Sequence, residues 1–591
     1  MPRKIMLIGL DAVSLTLINQ YAESCPTIRK LMKNGVSGRA LSELPVYTPT
    51  NWAVLCTGAG ASKSRQEGWH NDVSGRRLHA FDSRSYACET IFDVCEKNSL
   101  SSLAISYPGS YPAKGDRNMV IAPLFRGLKS NCLVPGTIIP VDLIGGKMDF
   151  VLPVHNNALD PSVSDGIENE AGAEKNLIVE RINASLSLAE TGGKLIVRRD
   201  GREDKYALRF NEWSGAIPIR IIGDDYSREC SICVNLFDGG KRVAISEVYD
   251  LTHAAWPPAL ADEILNKLGP PVENMTFFNE MIRLFNADEE DRVIFEMARR
   301  EIFDQAEWIS ASATIATKIN PADVFYIHYH LVDTMLHQCL QAADGSPAFS
   351  KRQRNTALEI FKLGVEACDL LVEKLLKLAN EETYFLIVSD HGHVPNRYGV
   401  SVKNRLIERG ITVLDGLGGI DKIKSVAWVS PDVNTWINVN AERGSDEYVS
   451  IQDEVIDALL DWKTKDGKRI VVVALKRKDS HLLGYHGPHC GDVAFHFNSG
   501  FAWTAKGGDI ICDDYTQSNH GPQMPATFSK ISDNLAFFTL AGPGVKKDFK
   551  WDEEERGYVR LIDFVPTLCK FAGIPAPAGS TGGARLEFSE V

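Results

Sequence analysis

The chain has 591 residues, 44% of them hydrophobic and 24% charged, with a net charge of −13. That length exceeds what one hydrophobic core usually serves, so several domains, or one domain with large insertions, are expected. The acidic balance, without a Lys/Arg-rich block, argues against a nucleic-acid polymer or an anionic membrane as the main partner, and no run approaches the roughly 18 apolar residues of a bilayer span.

The N-terminus, Met1-Pro2-Arg3-Lys4, has the basic start of a signal peptide. The apolar run after it is short, carries Asp11 and lacks a small-residue cleavage site, so it reads as the first strand of the fold. A strand over residues 4–10 therefore ends at Asp11. Helices follow over residues 15–22 and from Pro26, the latter closed by Gly35. Residues 44–52 then lead into an apolar helical run that stops at Thr57-Gly58. Thr48 suits the N-cap of that helix and Pro49 its first position. The Thr48 hydroxyl would then stand where free N–H groups attract an anion, although the segment taken alone reads better as an ordinary cap with no further role.

From residue 127 to residue 269 short strand-like runs replace helical periodicity, separated by turns such as Arg199-Asp200-Gly201-Arg202 and Asp238-Gly239-Gly240. This reads as a β-rich insertion of antiparallel hairpins. Residues 277–317 are helical and lead to a strand over residues 323–329. A helix over residues 354–378 precedes the apolar strand 384–388, which runs into Ser389-Asp390-His391-Gly392. Residues 395–515 form a second, mixed α+β insertion, with a helix near 455–462 and a strand over 469–475. The chain closes with strand 536–540, the turn Gly542-Pro543-Gly544 and helix 563–571. The segments are thus core 1–126, insertion 127–269, core 270–394, insertion 395–515 and core 516–591. The class is α/β, a central sheet with helices on both faces.

Twelve cysteines scattered over a long chain fit reduced thiols, and a cytoplasmic location, better than a disulfide framework. Cys230 and Cys233 have metal or redox spacing, but no second pair accompanies them and they lie in a strand-like run, so strand packing is expected. In a cytoplasmic protein the sequons at Asn183 and Asn274 carry no meaning.

Three apolar strands end in the same chemistry. Ligands collect beyond the carboxyl ends of strands in open α/β sheets. Asp11, Asp390 and His391 stand at such ends, and His520 lies in the loop Asn519-His520-Gly521. Asp333 and His337 follow the third strand at i, i+4, the spacing that brings both to one helix face. Imidazole and carboxylate together suit zinc and tolerate manganese. Six such ligands exceed what one tetrahedral ion needs, so two divalent ions are inferred, the arrangement that clamps both oxygens of an in-line phosphoryl displacement.

With Gly9-Leu10-Asp11, Thr48-Pro49-Thr50-Asn51-Trp52, Asp333-x-x-x-His337, Ser389-Asp390-His391-Gly392, Asn519-His520-Gly521 and the closing run 561–568, the chain resembles the alkaline phosphatase superfamily. Within it the resemblance is to the type I phosphodiesterase/nucleotide pyrophosphatase group. The resemblance implies a mostly parallel central sheet and hydrolysis of a small phosphorylated substrate. By it, Asp333, His337 and His520 hold one ion, while Asp11, Asp390 and His391 hold the other. Thr48 is the nucleophile, bound to the second ion and forming a phosphothreonine. Asn51 donates to a phosphoryl oxygen. Thr50 is the rival nucleophile.

Several residues depart from that pattern. His393 stands where relatives usually carry an apolar residue, which leaves two readings, a contact with substrate and, in preference to it, a solvated loop histidine. His330 is either a support for the ligands or a strand imidazole satisfied by the backbone, His328 precedes it, and His486 and His489 lie in a Gly/Pro loop of the second insertion. Sulfatase chemistry needs a Cys or Ser in a Cys-x-Pro-x-Arg-like setting, which neither Cys25 nor Cys56 provides. A diester or pyrophosphate is the first expectation for the substrate. A monoesterase or phosphonate hydrolase is second, since a monoester generally needs a further cation, often Arg, near the phosphoryl group. A non-catalytic metal-binding relative is third.

Overall fold

In a computed structural model, residues 3–153, 178–223, 226–273, 275–431, 433–503, 510–512, 517–524 and 528–590 are described; the sequon at Asn274 lies outside them. A 10-stranded sheet forms the centre. Its strands, numbered among themselves in chain order, are β1 (Lys4–Leu10), β2 (Gly35–Leu41), β3 (Ser102–Ile105), β4 (Asn118–Ile121), β5 (Ala255–Trp256), β6 (Val324–Tyr329), β7 (Thr383–Val388), β8 (Ala536–Ala541), β9 (Phe549–Lys550) and β10 (Val559–Arg560). They lie in the order β5-β4-β3-β6-β1-β7-β8-β2-β9, with β10 also paired to β2. β4, β3, β6, β1 and β7 run parallel, whereas β8 runs against both β7 and β2.

Parallel strands covered on both faces read as continuous apolar runs, and β1 shows why. Ile5 and Leu7 point into one core with Trp52, Leu55, Phe564 and Leu568. Met6, Ile8 and Leu10 point into the other, against the helices Arg292–Ile319, Leu331–Ala343 and Lys351–Leu376. The two-residue alternation of a strand thus feeds two helical layers.

The expected helical stretch 277–317 is two helices, Thr276–Asn286 and Arg292–Ile319. The break falls where Asp291 turns its side chain to cap the second, accepting from the N–H groups of Val293 and Ile294. The first insertion is the predicted set of hairpins. Arg199–Arg202 is the turn between antiparallel strands Gly192–Arg199 and Arg202–Arg209, with Asp200 and Gly201 at φ 48° and 75°. Cys230 sits in strand Tyr226–Ile232, and Cys230 and Cys233 are both buried, free thiols. The second insertion centres on a 4-stranded sheet of Ala427–Val429, Trp436–Val439, Val493–Phe497 and Val471–Lys476. Its main helix runs Asp446–Leu460, starting nine positions before residue 455 because Ser445 caps it through the Tyr448 N–H.

Candidate metal centre

Three adjacent parallel strands deliver the site. Gly9 of β1 pairs with His328 on β6 and with Val388 on β7, so the chain leaves all three at one edge. Asp11 follows β1. His330, Asp333 and His337 follow β6, the last two one turn apart on helix Leu331–Ala343. Asp390, His391 and His393 follow β7. His520 arrives from the loop behind Ser518–Asn519. Its Nδ1 donates to Val46 O at 2.6 Å, and Gly521 lies so close to Tyr47 that a Cβ there would meet the ring. The Asn-His-Gly motif therefore fixes the loop that enters the Thr48 helix.

That helix spans Thr48–Thr57, with Tyr47 as its N-cap. Thr48 is the first helical residue rather than the cap, and Pro49 is the second. The Thr48 hydroxyl caps nothing and lies 3.3 Å from His391 Nε2. Thr50, the rival, is buried and donates to Gln66 O at 2.6 Å, away from the site. Asn51 does not take the expected place facing a phosphoryl oxygen. Its Oδ1 accepts from Glu43 N at 2.8 Å, and its Nδ2 is directed at the carbonyls of Glu43, Pro45 and Tyr47. The amide is fully engaged in shaping the loop that presents Thr48. Cys56 is buried and its thiol is pushed far above its usual range by burial.

The six sequence-predicted ligands converge. His391 Nε2 lies 3.0 Å from Asp390 Oδ2 and 3.8 Å from Asp11 Oδ1. His337 Nε2 lies 3.5 Å from Asp333 Oδ2, and His520 Nε2 lies 3.8 Å from Asp333 Oδ1. The His391 and His520 rings stack at 3.5 Å, so the two groups adjoin. Asp11, Asp390 and His391 have ligand atoms close enough to share one ion; so do Asp333, His337, His520 and a fourth residue, His393.

Electrostatics favour a cation. A ring nitrogen facing a carbonyl must carry the hydrogen. His337 Nδ1 faces Ser518 O at 2.8 Å, His520 Nδ1 faces Val46 O, and His391 Nδ1 faces Gly392 O at 3.2 Å. In each ring Nε2 is thus the nitrogen that faces carboxylate oxygen and the one left to coordinate an ion. Burial opposes the charged form of His391, but Asp390 and Asp11 push its imidazole up to about 9, so this cluster of carboxylates favours positive charge. Asp11 Oδ1 and Asp390 Oδ2 accept no hydrogen bond although buried. Burial, and then the charge of Asp11, push the Asp390 carboxyl up. Burial, and then His391 and His393, push His520 well down, toward the neutral ligand form. Burial opposes ionisation of Asp333, but His337 and His330 hold its carboxyl far below the usual range. The donor set, three carboxylates and three imidazoles, fits divalent zinc or manganese.

Four residues beyond the six complete the site. His393, expected in solvent, is buried with Nε2 2.6 Å from Asp333 Oδ1. His330 bridges the two ligand groups, Nδ1 at 2.8 Å from Asp11 Oδ2 and Nε2 at 3.2 Å from Asp333 Oδ2. His328 Nε2 and Trp52 Nε1 lie at 2.8 and 3.1 Å from the same Asp11 oxygen. That oxygen is saturated, which leaves Oδ1 for an ion. The alternation His328-x-His330 was a visible signal; the Trp52 contact was not. His486 and His489 are exposed on the second insertion and belong to neither ligand group.

The profile of the type I phosphodiesterase/nucleotide pyrophosphatase family matches residues 5–212 and 223–523. The chain belongs to that family. No curated protein sequence matches it significantly. Among solved structures it is similar to the alkaline phosphatase PafA, at 12% identity and a TM-score of 0.50, over 100% of this chain and 99% of that one. Human ectonucleotide pyrophosphatase/phosphodiesterase 5 matches at 13% identity, TM-score 0.45, over 100% of both chains. Phosphonoacetate hydrolase from Sinorhizobium meliloti 1021 matches at 11% identity, TM-score 0.44, over 97% of this chain and 96% of that one. The family membership makes this chain a metal-dependent phosphoester hydrolase, and the PafA likeness agrees with the mixed α/β fold. Among the described residues, no helix is long and apolar enough to cross a membrane.

Proposed function

We propose that the protein hydrolyses phosphodiester or pyrophosphate bonds of a small molecule through a covalent intermediate on Thr48. The observation that carries this reading is the Thr48 hydroxyl, uncommitted to capping, 3.3 Å from His391 Nε2 and flanked by two ligand groups. Asp11, Asp390 and His391 would hold one divalent ion and Asp333, His337 and His520 the other, zinc in the first instance. Bound there, the ions supply Lewis-acid activation of a hydroxyl and charge neutralisation at a leaving oxygen. The Thr48 Oγ–P bond forms as the P–O bond to the leaving group breaks. The hydroxyl proton passes to solvent and the leaving oxygen takes one up. Water then forms a new O–P bond and Thr48 Oγ departs. The twelve free thiols support a reducing, cytoplasmic setting.

The test is hydrolysis of bis-p-nitrophenyl phosphate and p-nitrophenyl phosphate by the purified protein with zinc or manganese. Faster diester hydrolysis supports the reading. Preference for the monoester would reassign the chain to monoesterase chemistry, and inactivity on both with either metal would remove the catalytic reading.

A further inference from the structure

Between the first insertion and the core helices lies a cavity of about 560 Å³, lined by none of the candidate metal ligands. Its volume suits a small organic ligand, and junctions between structural units are where such sites collect. The exposed residues Gly215 and Ala216 of the insertion and Asn266 and Lys267 of helix Pro258–Leu268 form its rim. Lys267 is paired there with Glu263 at 2.8 Å. Leu265, Leu268 and Val272 supply apolar wall. Half-buried Trp213 adds an indole braced on Phe277, with ring centroids 5.6 Å apart.

The buried part of the lining is polar: Cys233, Ser246, Glu247, Tyr249 and Glu301. Glu247 stands between strands Arg242–Ile245 and Val248–Asp250 of the insertion, and Glu301 comes from helix Arg292–Ile319. The hydroxyl hydrogens of this lining are already committed. Tyr249 donates to Glu247 Oε2 at 2.6 Å, Ser246 to Glu247 O at 2.9 Å, and Ser214 to Gly215 O at 2.8 Å. Lys129 eases the burial of Glu247 by its charge, but among the described residues neither carboxylate is ion-paired with a Lys or Arg side chain. Asn235 repeats the pattern. Its Oδ1 is buried and accepts nothing, its backbone bridges to Trp213, and it lines an adjoining cavity of about 300 Å³ that shares Trp213 and Glu301.

Three acceptors, two of them carboxylates, thus gather around one indole. Buried carboxylates are costly until a cation or donor meets them, and the face of a tryptophan ring attracts an ammonium. We propose that this cavity binds an organic ammonium, its head at Glu247 and Glu301 beside Trp213 and its aromatic or aliphatic body along Leu265, Leu268 and Val272. The head brings what the lining lacks, positive charge with N–H donors. An anion of the same shape meets two carboxylates instead and is excluded.

Three probes of similar shape and different head charge test this: phenethylammonium, phenylethanol and phenylpropionate. The zinc-loaded full chain is titrated calorimetrically at pH 8, where Glu247, pushed up to about 7 by burial, carries its charge. Saturable binding of the ammonium is expected, with the alcohol weaker by about tenfold or more and no binding of the carboxylate. Glu247→Gln and Glu301→Gln keep the shape of the lining and its acceptors. Each is expected to weaken the ammonium by about tenfold or more while metal content and diester hydrolysis stay as in wild type. Circular dichroism and thermal melting verify that both variants are folded. No ammonium binding, equal affinity for ammonium and alcohol, or wild-type affinity in both folded variants overturns the assignment. Binding that disappears when zinc is removed also overturns it, since the amine would then sit at the metal centre.

Discussion

His393 Nε2 lies 2.6 Å from Asp333 Oδ1, with both side chains buried. Asp333 belongs to the ligand group that includes His337 and His520, so this contact fixes the carboxylate's rotation. Hydrogen-bond partners of ligating residues are worth about 10–100-fold in metal affinity. His393→Ala is expected to weaken zinc binding by about that factor in one of the two sites. Isothermal titration would show it; an unchanged isotherm would mean that Asp333 is held by its helix alone.

Thr48 and Thr50 are two positions apart and their hydroxyls have opposite duties. Thr48→Ala is expected to keep the metal content and lose about 10³-fold or more in turnover. Thr50→Ala should retain turnover but strand Gln66 O, costing about 1–3 kcal/mol of stability. Metal analysis, steady-state rates and denaturant melts on both variants decide it. Full activity in Thr48→Ala would remove that residue from the mechanism.

The fold and the clustering of the six candidate ligands were legible because both rest on short-range signals. Apolar runs ending in Asp11 and in Asp390-His391, and the i, i+4 spacing of Asp333 and His337, announce strand ends and one helix face. What could not be read comes from distant contacts. His393 looks like loop polarity until helix Leu331–Ala343 brings Asp333 against it. Asn51 looks like a phosphoryl donor until the chain folds the carbonyls of residues 43, 45 and 47 over its amide. The misplaced cap at Thr48 is a one-residue boundary error with a chemical consequence: a capping hydroxyl is engaged, whereas this one is available.

Stripping the metal should destabilise the protein, since Asp11, Asp333 and Asp390 are then left buried together. At a free ion concentration of 100 times Kd, each site contributes about 2.7 kcal/mol. A chelator is expected to lower Tm in wild type and Thr48→Ala alike, and added zinc to restore it. An unchanged Tm after verified metal removal would mean that the ligand groups are held by the scaffold without an ion.

A pH effect should arise away from the centre, at Glu247 and Glu301. Glu247 accepts from Tyr249 OH at 2.6 Å and from Thr276 Oγ1 at 3.2 Å, and Glu301 accepts from Phe278 N at 2.9 Å. Burial pushes Glu247 up to about 7; burial, and then the charge of Glu247, push Glu301 well up. The folded state thus binds these protons more tightly than the unfolded chain, where glutamate titrates near about 4.3. For Glu247 the stabilisation is complete below that value and is lost as pH rises through 7. Glu247→Gln keeps an acceptor for the Tyr249 hydroxyl and needs no proton. Its Tm should exceed that of wild type at pH 8, with the gap closing toward pH 5; a gap that does not vary with pH would exclude the linkage.

Gly9 and Trp52 offer the sharpest test of how the scaffold positions Asp11. A Cβ at Gly9 would run into the six-membered ring of Trp52, whose Nε1 holds Asp11 Oδ2 at 3.1 Å. The glycine of Gly9-Leu10-Asp11 is therefore there for the indole, which in turn directs the carboxylate. Gly9→Ala must displace a fully buried tryptophan, and overpacking of this kind typically costs about 1–3 kcal/mol. Trp52→Phe removes the hydrogen bond and leaves a smaller ring. Both variants are expected to weaken metal binding at the Asp11, Asp390 and His391 group, but only Gly9→Ala should show strain beyond the lost contact. The combined variant separates the effects: with Phe at position 52 the alanine methyl has more room, so Gly9→Ala should cost less stability in that background than in wild type. Strictly additive melting data would show that the glycine and the indole act independently.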